Sequence, residues 1–129
     1  MRFIEFKEIP KNSVTIDVRT KVEYADNEIL QYNIPIMSEK EHRMMKRWII
    51  FAFLIIVYKI YQNRDTIDRE FEKVLKESLG HDFVFGCSRG RLRSPLTAMY
   101  IAHRYKVRVY VIRGGVKYLK FKNDAINVQ

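Results

Sequence analysis

The fold class this sequence predicts is α/β: one domain with a central, mostly parallel sheet and helices on both faces. Three observations predict it. Short apolar runs of strand length recur at residues 14–18, 83–85 and 107–112. Between them lie segments with helical spacing and helix-cap residues, and strands alternating with helices imply a parallel sheet. At 129 residues the chain is long enough for one core and too short for two domains of ordinary size, so residues 1–129 read as a single domain.

Residues 2–9 alternate apolar and charged side chains as a first strand, and Pro10, Lys11, Asn12 and Ser13 turn the chain after it. Residues 14–18 form an apolar strand ending at Asp17, Val18 and Arg19. Thr20 can cap a short helix reaching Tyr24, and residues 33–37 read as a short strand interrupted by Pro35. Ser38 and Glu41 make a capping-box pattern that opens a helix running to about residue 62. Inside it, residues 48–58, which begin at Trp48 and end at Tyr58, are an apolar run bounded by Lys46, Arg47 and Lys59. As helix this run covers about 16 Å, roughly half of a bilayer's hydrocarbon core, so no membrane partner is expected. A helix apolar on every side is not satisfied by one sheet contact, and part of it is expected to face a second subunit. A further helix at residues 66–78 puts Ile67, Phe71, Val74, Leu75 and Leu79 on one stripe and closes at Gly80. After the strand at 83–85, Ser94 as N-cap and Pro95 at the first helical position open a helix to Tyr105. Gly114 and Gly115 follow the last strand and turn into a short helix at residues 116–119.

Cys87 is the one cysteine, and it stands where the strand at 83–85 enters a turn of Ser88, Arg89, Gly90, Arg91, Leu92, Arg93 and Ser94. A strand-to-helix turn points backbone N–H groups inward and adds the positive end of a helix dipole, which makes an anion cradle. A cysteine at its mouth is favoured as thiolate, and three arginines can hold an oxyanion over the sulfur. The competing reading is a small buried apolar residue. A single cysteine excludes an internal disulfide, and with no leader pattern at the N-terminus a cytoplasmic location is expected.

The net charge of +9 is segregated: residues 1–86 hold fourteen Lys/Arg and fourteen Asp/Glu, while residues 87–129 hold ten and one. A basic surface beside a reactive loop suggests a polyanion, RNA first, with Arg104, Lys106, Arg108, Arg113, Lys117 and Lys120 as candidate contacts. His42, His81 and His103 are scattered, so no metal site is expected. Nor is there a glycine-rich phosphate loop ending in Lys-Ser or Lys-Thr, so no tightly bound cofactor is expected.

Four segments carry a family resemblance: Ile16, Asp17, Val18 and Arg19 followed by Glu23 and Tyr24; Asn33, Ile34 and Pro35; the cysteine loop; and Arg113, Gly114 and Gly115. Together they resemble the rhodanese domain, and in that superfamily the N-terminal rhodanese half of tRNA 2-selenouridine synthase. That half carries a Cys-x-Arg-Gly-Gly-x-Arg-Ser loop, matched here with Arg91 in place of the second glycine. The resemblance covers roughly residues 13–122. It implies that Cys87 carries sulfur or selenium, with Asp17 and Arg19 in support. It further implies selenophosphate or a sulfur donor as substrate, tRNA as partner, and exchange of the sulfur of 2-thiouridine. Because the chain has no phosphate loop, the resemblance implies a split enzyme, with a separate P-loop subunit contacting the apolar helix from Trp48 to Tyr58. Three alternatives stand beside it. One is a general thiosulfate or persulfide sulfurtransferase. Another is a cysteine-dependent phosphatase or arsenate reductase-like enzyme, suggested by the five residues between Cys87 and Arg93. The last is an RNA-binding scaffold with an idle thiol.

Overall fold

Five strands, β1 (Arg2–Ile4), β2 (Val14–Asp17), β3 (Tyr32–Asn33), β4 (Asp82–Gly86) and β5 (Arg108–Ile112), form one sheet in the order β1-β5-β4-β2-β3, and every neighbouring pair is parallel. They belong to a computed structural model that describes residues 1–77, 82–88 and 92–116. The helices are α1 (Lys21–Asp26), α2 (Glu39–Arg47), α3 (Ala52–Gln62), α4 (Arg64–Glu77) and α5 (Arg93–Tyr105). The expected α/β class with a parallel sheet is therefore what the chain adopts.

Alternation along the strands splits the core in two. Ile16, Phe83, Phe85, Val109 and Val111 face a large cluster with Ile56, Phe71 and Ile101 of the helices. Val84 and Ile112 face a smaller cluster closed by Phe6 of a short 3-10 helix and by Ile29 and Leu30. Phe71 of α4 packs edge-on against Phe83, ring centroids 5.0 Å apart. With Ile67 and Val74 also buried, the stripe predicted for this helix is its core face.

Several predicted elements end elsewhere, for local reasons. The first strand stops at Ile4 because Glu5 and Glu8 close a capping box around a 3-10 helix at Phe6–Glu8. The expected strand at 33–37 survives only as Tyr32–Asn33. The next ladder bond is made by Ile34 N–H to Asp17 O at 2.9 Å, and Pro35 has no N–H with which to continue. The long helix from Ser38 is capped as predicted but breaks at Trp48, whose φ and ψ of −118° and 47° leave the helical region, followed by a 3-10 turn at Ile49–Phe51. A segment apolar on all sides gives no periodic signal to hold one helical face. The break lets Met45 on one side and Ala52, Ile56 and Ile60 on the other pack on the same core. Asn63 then joins α3 to α4, its side-chain amide donating to Ile36 O at 3.0 Å. The last predicted helix, at 116–119, lies outside the described residues apart from Val116.

Helix α5 ends on Lys106 in the left-handed region, φ 56°, a conformation glycine adopts without steric cost. Lys106→Gly is expected to raise stability by about 0.5–1 kcal/mol. Thermal unfolding checks this, and a lowered midpoint would show that the Lys106 side chain itself holds the helix end.

Candidate active site

The direction in which strands are added to the sheet reverses between β2 and β4. After β2 the chain moves outward to β3, and after β4 it moves the other way to β5. Beyond the carboxyl ends of these two strands lies the crevice where open parallel sheets bind ligands. Cys87 follows β4 directly, and Val18, Arg19 and Thr20 follow β2.

The thiol of Cys87 is 2 % exposed and lies at one wall of a cavity of about 400 Å³. Sγ stands 3.3 Å from Ser94 Oγ in the first turn of α5, a hydrogen bond in which either atom can donate. Ser94 thus serves the site and not the helix cap. Leu92 occupies the cap position, which moves Pro95 into the third helical position, where no intrahelical N–H bond is lost. The backbone after Cys87 is held from behind. Val116 N–H donates to Cys87 O at 2.9 Å, and Gly115 lies so close that a Cβ there would sit 2.4 Å from both Cys87 O and Ser88 O.

The cavity has two characters. Its apolar wall comes from Met45 of α2, Ile49 of the 3-10 turn and Ala52 and Ile56 of α3; its polar wall is Glu23, His42, Lys46 and Arg93. Arg93, expected to reach toward a bound oxyanion, instead donates through Nη1 to Glu23 Oε1 at 2.9 Å. Burial alone would raise the Glu23 carboxyl. The hydrogen bond and charge of Arg93 outweigh it, with help from a backbone N–H at Thr20, and hold its pKa at about 2. His42 Nδ1 lies 3.7 Å from Glu23 Oε1; burial pushes its pKa down, Arg93 adds to this, and Glu23 opposes it. Glu23, Glu39 and His42 offer ligand atoms within 4.8 Å of one another. Within this cluster Arg93 donates to Glu23, and the Thr20 hydroxyl donates to Glu39 at 2.8 Å.

Asp17 and Arg19 lie below the site. Arg19 clasps the fully buried Asp17 through Nε and Nη2 at 2.7–3.0 Å and reaches Asn27 O at 2.8 Å. Burial raises the Asp17 carboxyl against the pull of Arg19. Asn33 ties the same corner by donating to Asp17 O and Arg19 O, both at 2.9 Å. This network shapes the end of β2 and contributes no lining to the cavity.

Of the four described candidate contacts for a polyanion, three lie away from the loop. Arg104 and Lys106 end α5 and Arg108 begins β5, opposite Asp82 at the start of β4. That is the other end of the sheet, about 16 Å from Cys87 along a five-residue strand. Arg104 and Arg108 each have a carboxylate 3.7 Å away, on Asp68 and Asp82. Arg113 alone of the described set sits at the cysteine end, 3.6 Å from Glu5. Arg89, Gly90, Arg91, Lys117 and Lys120 lie outside the described residues, as do His81 and Leu79. Sequence reasoning missed Glu23 and His42 as cavity residues. In the sequence Glu23 stood out only in the segment that carries the family resemblance; in the structure it also closes the Thr20 capping box.

The fold and site define a parallel α/β domain with a cysteine in a crevice at the reversal of strand order. No protein-family profile and no curated protein matches the sequence. Among solved structures, the chain is similar to the N-terminal domain of a protein described as ATP/GTP binding from Clostridium difficile 630. The TM-score is 0.63 and the identity 24 %, over 89 % of this chain and 93 % of that one. The likeness is one of fold. Among the described residues, no helix is long and apolar enough to cross a membrane.

Proposed function

We propose that the chain is a chalcogen carrier, the rhodanese-like subunit of a tRNA 2-selenouridine synthase, which loads sulfur or selenium on Cys87 for exchange into 2-thiouridine. One observation carries this reading: a cysteine directly beyond a central parallel strand, beside the first turn of a helix, opening on a cavity large enough for a small anionic donor. With thiosulfate, the Cys87 thiolate attacks the outer sulfur, the donor S–S bond breaks and sulfite leaves with the electron pair, so the enzyme holds a persulfide. With selenophosphate, the same attack on selenium breaks the P–Se bond, phosphite leaves after taking up a proton, and a perselenide remains. The amino end of α5 stabilises the anion throughout. A tRNA and a separate nucleotide-binding subunit belong to this reading as partners, and the cytoplasm as its location. The phosphatase alternative is disfavoured because Arg93, which would have to clamp the phosphate, is engaged by Glu23.

Intact-mass measurement after exposure to selenophosphate, and separately to thiosulfate, tests it. The wild type is expected to gain about 79 Da or about 32 Da by covalent addition, and Cys87→Ser nothing. An adduct that persists in Cys87→Ser, or none on the wild type from either donor, would overturn the assignment.

A further inference from the structure

The 3-10 turn and α3 present a ridge that the described fold leaves uncovered. Trp48 is 59 % exposed, Ile50 84 % and Leu54 64 %. On α3, Phe53, Val57 and Tyr61 form one row of residues four apart, and Leu54 and Tyr58 a second beside it. The furrow between two such rows is where a ridge of another helix packs. A contiguous apolar patch with a polar rim marks an interaction surface.

Charge narrows the occupant. Between Glu41 and Asp65 the sequence has no acidic residue, while Arg43, Lys46, Arg47, Lys59 and Arg64 fall within the same stretch. Lys59 is paired with Glu41 and Arg64 stacks on the Tyr61 ring at 4.3 Å, which leaves the exposed Arg43, Lys46 and Arg47 as a cationic rim at the Trp48 end. A second copy is a poor match, because a two-fold contact on this patch would set like rims against each other on chains of net charge +9. An anionic bilayer would suit the rim. But exposed Ile49 of the turn, with Ala52 and Ile56 buried behind the ridge, lines the cavity of Cys87, Glu23 and Arg93, so the occupant stands at the mouth of a charged cavity that hydrocarbon cannot solvate.

We infer that this ridge docks a partner protein through an amphipathic helix with an apolar stripe flanked by carboxylates, and that the docked helix closes the Cys87 cavity. The inference gives a contact surface to the partner subunit proposed above and rests on that reading only for the reaction being sheltered.

Trp48 is the one tryptophan of the chain and stands on the ridge, so its emission reports occupancy. The intact chain is titrated with a synthetic helix-forming peptide carrying a leucine stripe flanked by glutamates. The same peptide with lysines for glutamates, and vesicles of phosphatidylglycerol and phosphatidylcholine, are titrated separately. Sedimentation gives the oligomeric state. The expected result is a monomer whose Trp48 emission shifts to the blue and saturates with the glutamate peptide only, while alkylation of Cys87 by iodoacetamide slows several-fold. Leu54→Asp, at a position already in solvent, is expected to lose both responses and keep the same unfolding midpoint. No shift with the glutamate peptide, an equal shift with vesicles, or self-association abolished by Leu54→Asp would overturn the inference. Chalcogen loading of Cys87 in Leu54→Asp would show that the proposed chemistry stands whichever way the docking result falls.

Discussion

Gly115→Ala is expected to cost about 3 kcal/mol or more, lower the unfolding midpoint by about 10 °C and suppress Cys87 reactivity together with stability. Two effects combine at this position. The backbone is left-handed, φ +70°, which alone costs a residue with a Cβ about 1–2 kcal/mol. The added carbon would also meet two carbonyl oxygens of the cysteine loop at 2.4 Å, and both belong to backbone that cannot swing aside as a side chain would. Something must move, and the nearest movable element is Cys87 itself. Gly114→Ala is the control, since Gly114 has nearly the same φ, +78°, but nothing within 4 Å of the added carbon. It is expected to cost about 1–2 kcal/mol and to leave the alkylation rate of Cys87 unchanged. Equal losses in the two variants would mean that close packing behind the loop is unimportant.

Arg93→Met is expected to destabilise the chain by about 2–3 kcal/mol at neutral pH, because it leaves the Glu23 carboxylate half-buried without its partner. It is also expected to change the shape of the acid limb. In the wild type, Glu23 has a folded pKa of about 2 against an ordinary 4.5. Its contribution is therefore complete above pH 4.5 and fades as pH falls toward 2. The shift corresponds to about 3 kcal/mol at full strength, and to about 1–2 kcal/mol once solvent screening of this partly exposed carboxylate is counted. In Arg93→Met, burial is the dominant influence left on Glu23 and raises its pKa, so protonation should stabilise the fold as pH falls toward 4.5, above the wild-type window, and change nothing further below it. Urea unfolding between pH 7 and 3 distinguishes the two cases. Parallel wild-type and variant curves would show that Arg93 is not what holds Glu23 ionised.

What could be read from the sequence was local, and what could not was distant. Ser38 and Glu41 lie three residues apart and close the capping box as predicted; Thr20 caps its helix as predicted, and Glu23 completes the box there. The strand entering Cys87 was legible because a buried parallel strand is a short apolar run. The pairing of Glu23 with Arg93 was not, because the partners are 70 residues apart and meet only when α1 and α5 are brought to neighbouring strand ends. The break at Trp48 was hidden by uniform hydrophobicity, which supplies no face to count. Charge segregation was legible as a count, but not the place of each charge. Counting along the chain cannot tell the amino end of a strand from its carboxyl end, and Arg104, Lys106 and Arg108 went to the end away from Cys87.

The order of strands also sets when the molecule can become whole. β1, at residues 2–4, hydrogen-bonds to β5, at residues 108–112, and to no other described strand. During synthesis its sheet partner does not exist until nearly the whole described chain has been made. The first strand must therefore wait, and its docking closes the longest loop in the domain, the kind of non-local step that slows folding. Until then the edge of β5 stands open, and the Arg113 N–H that later donates to Ile4 O at 2.7 Å has no such acceptor. Completion of the turn that backs Cys87 is thus tied to the arrival of the amino terminus, so a nascent chain carries its thiol before it carries a finished crevice.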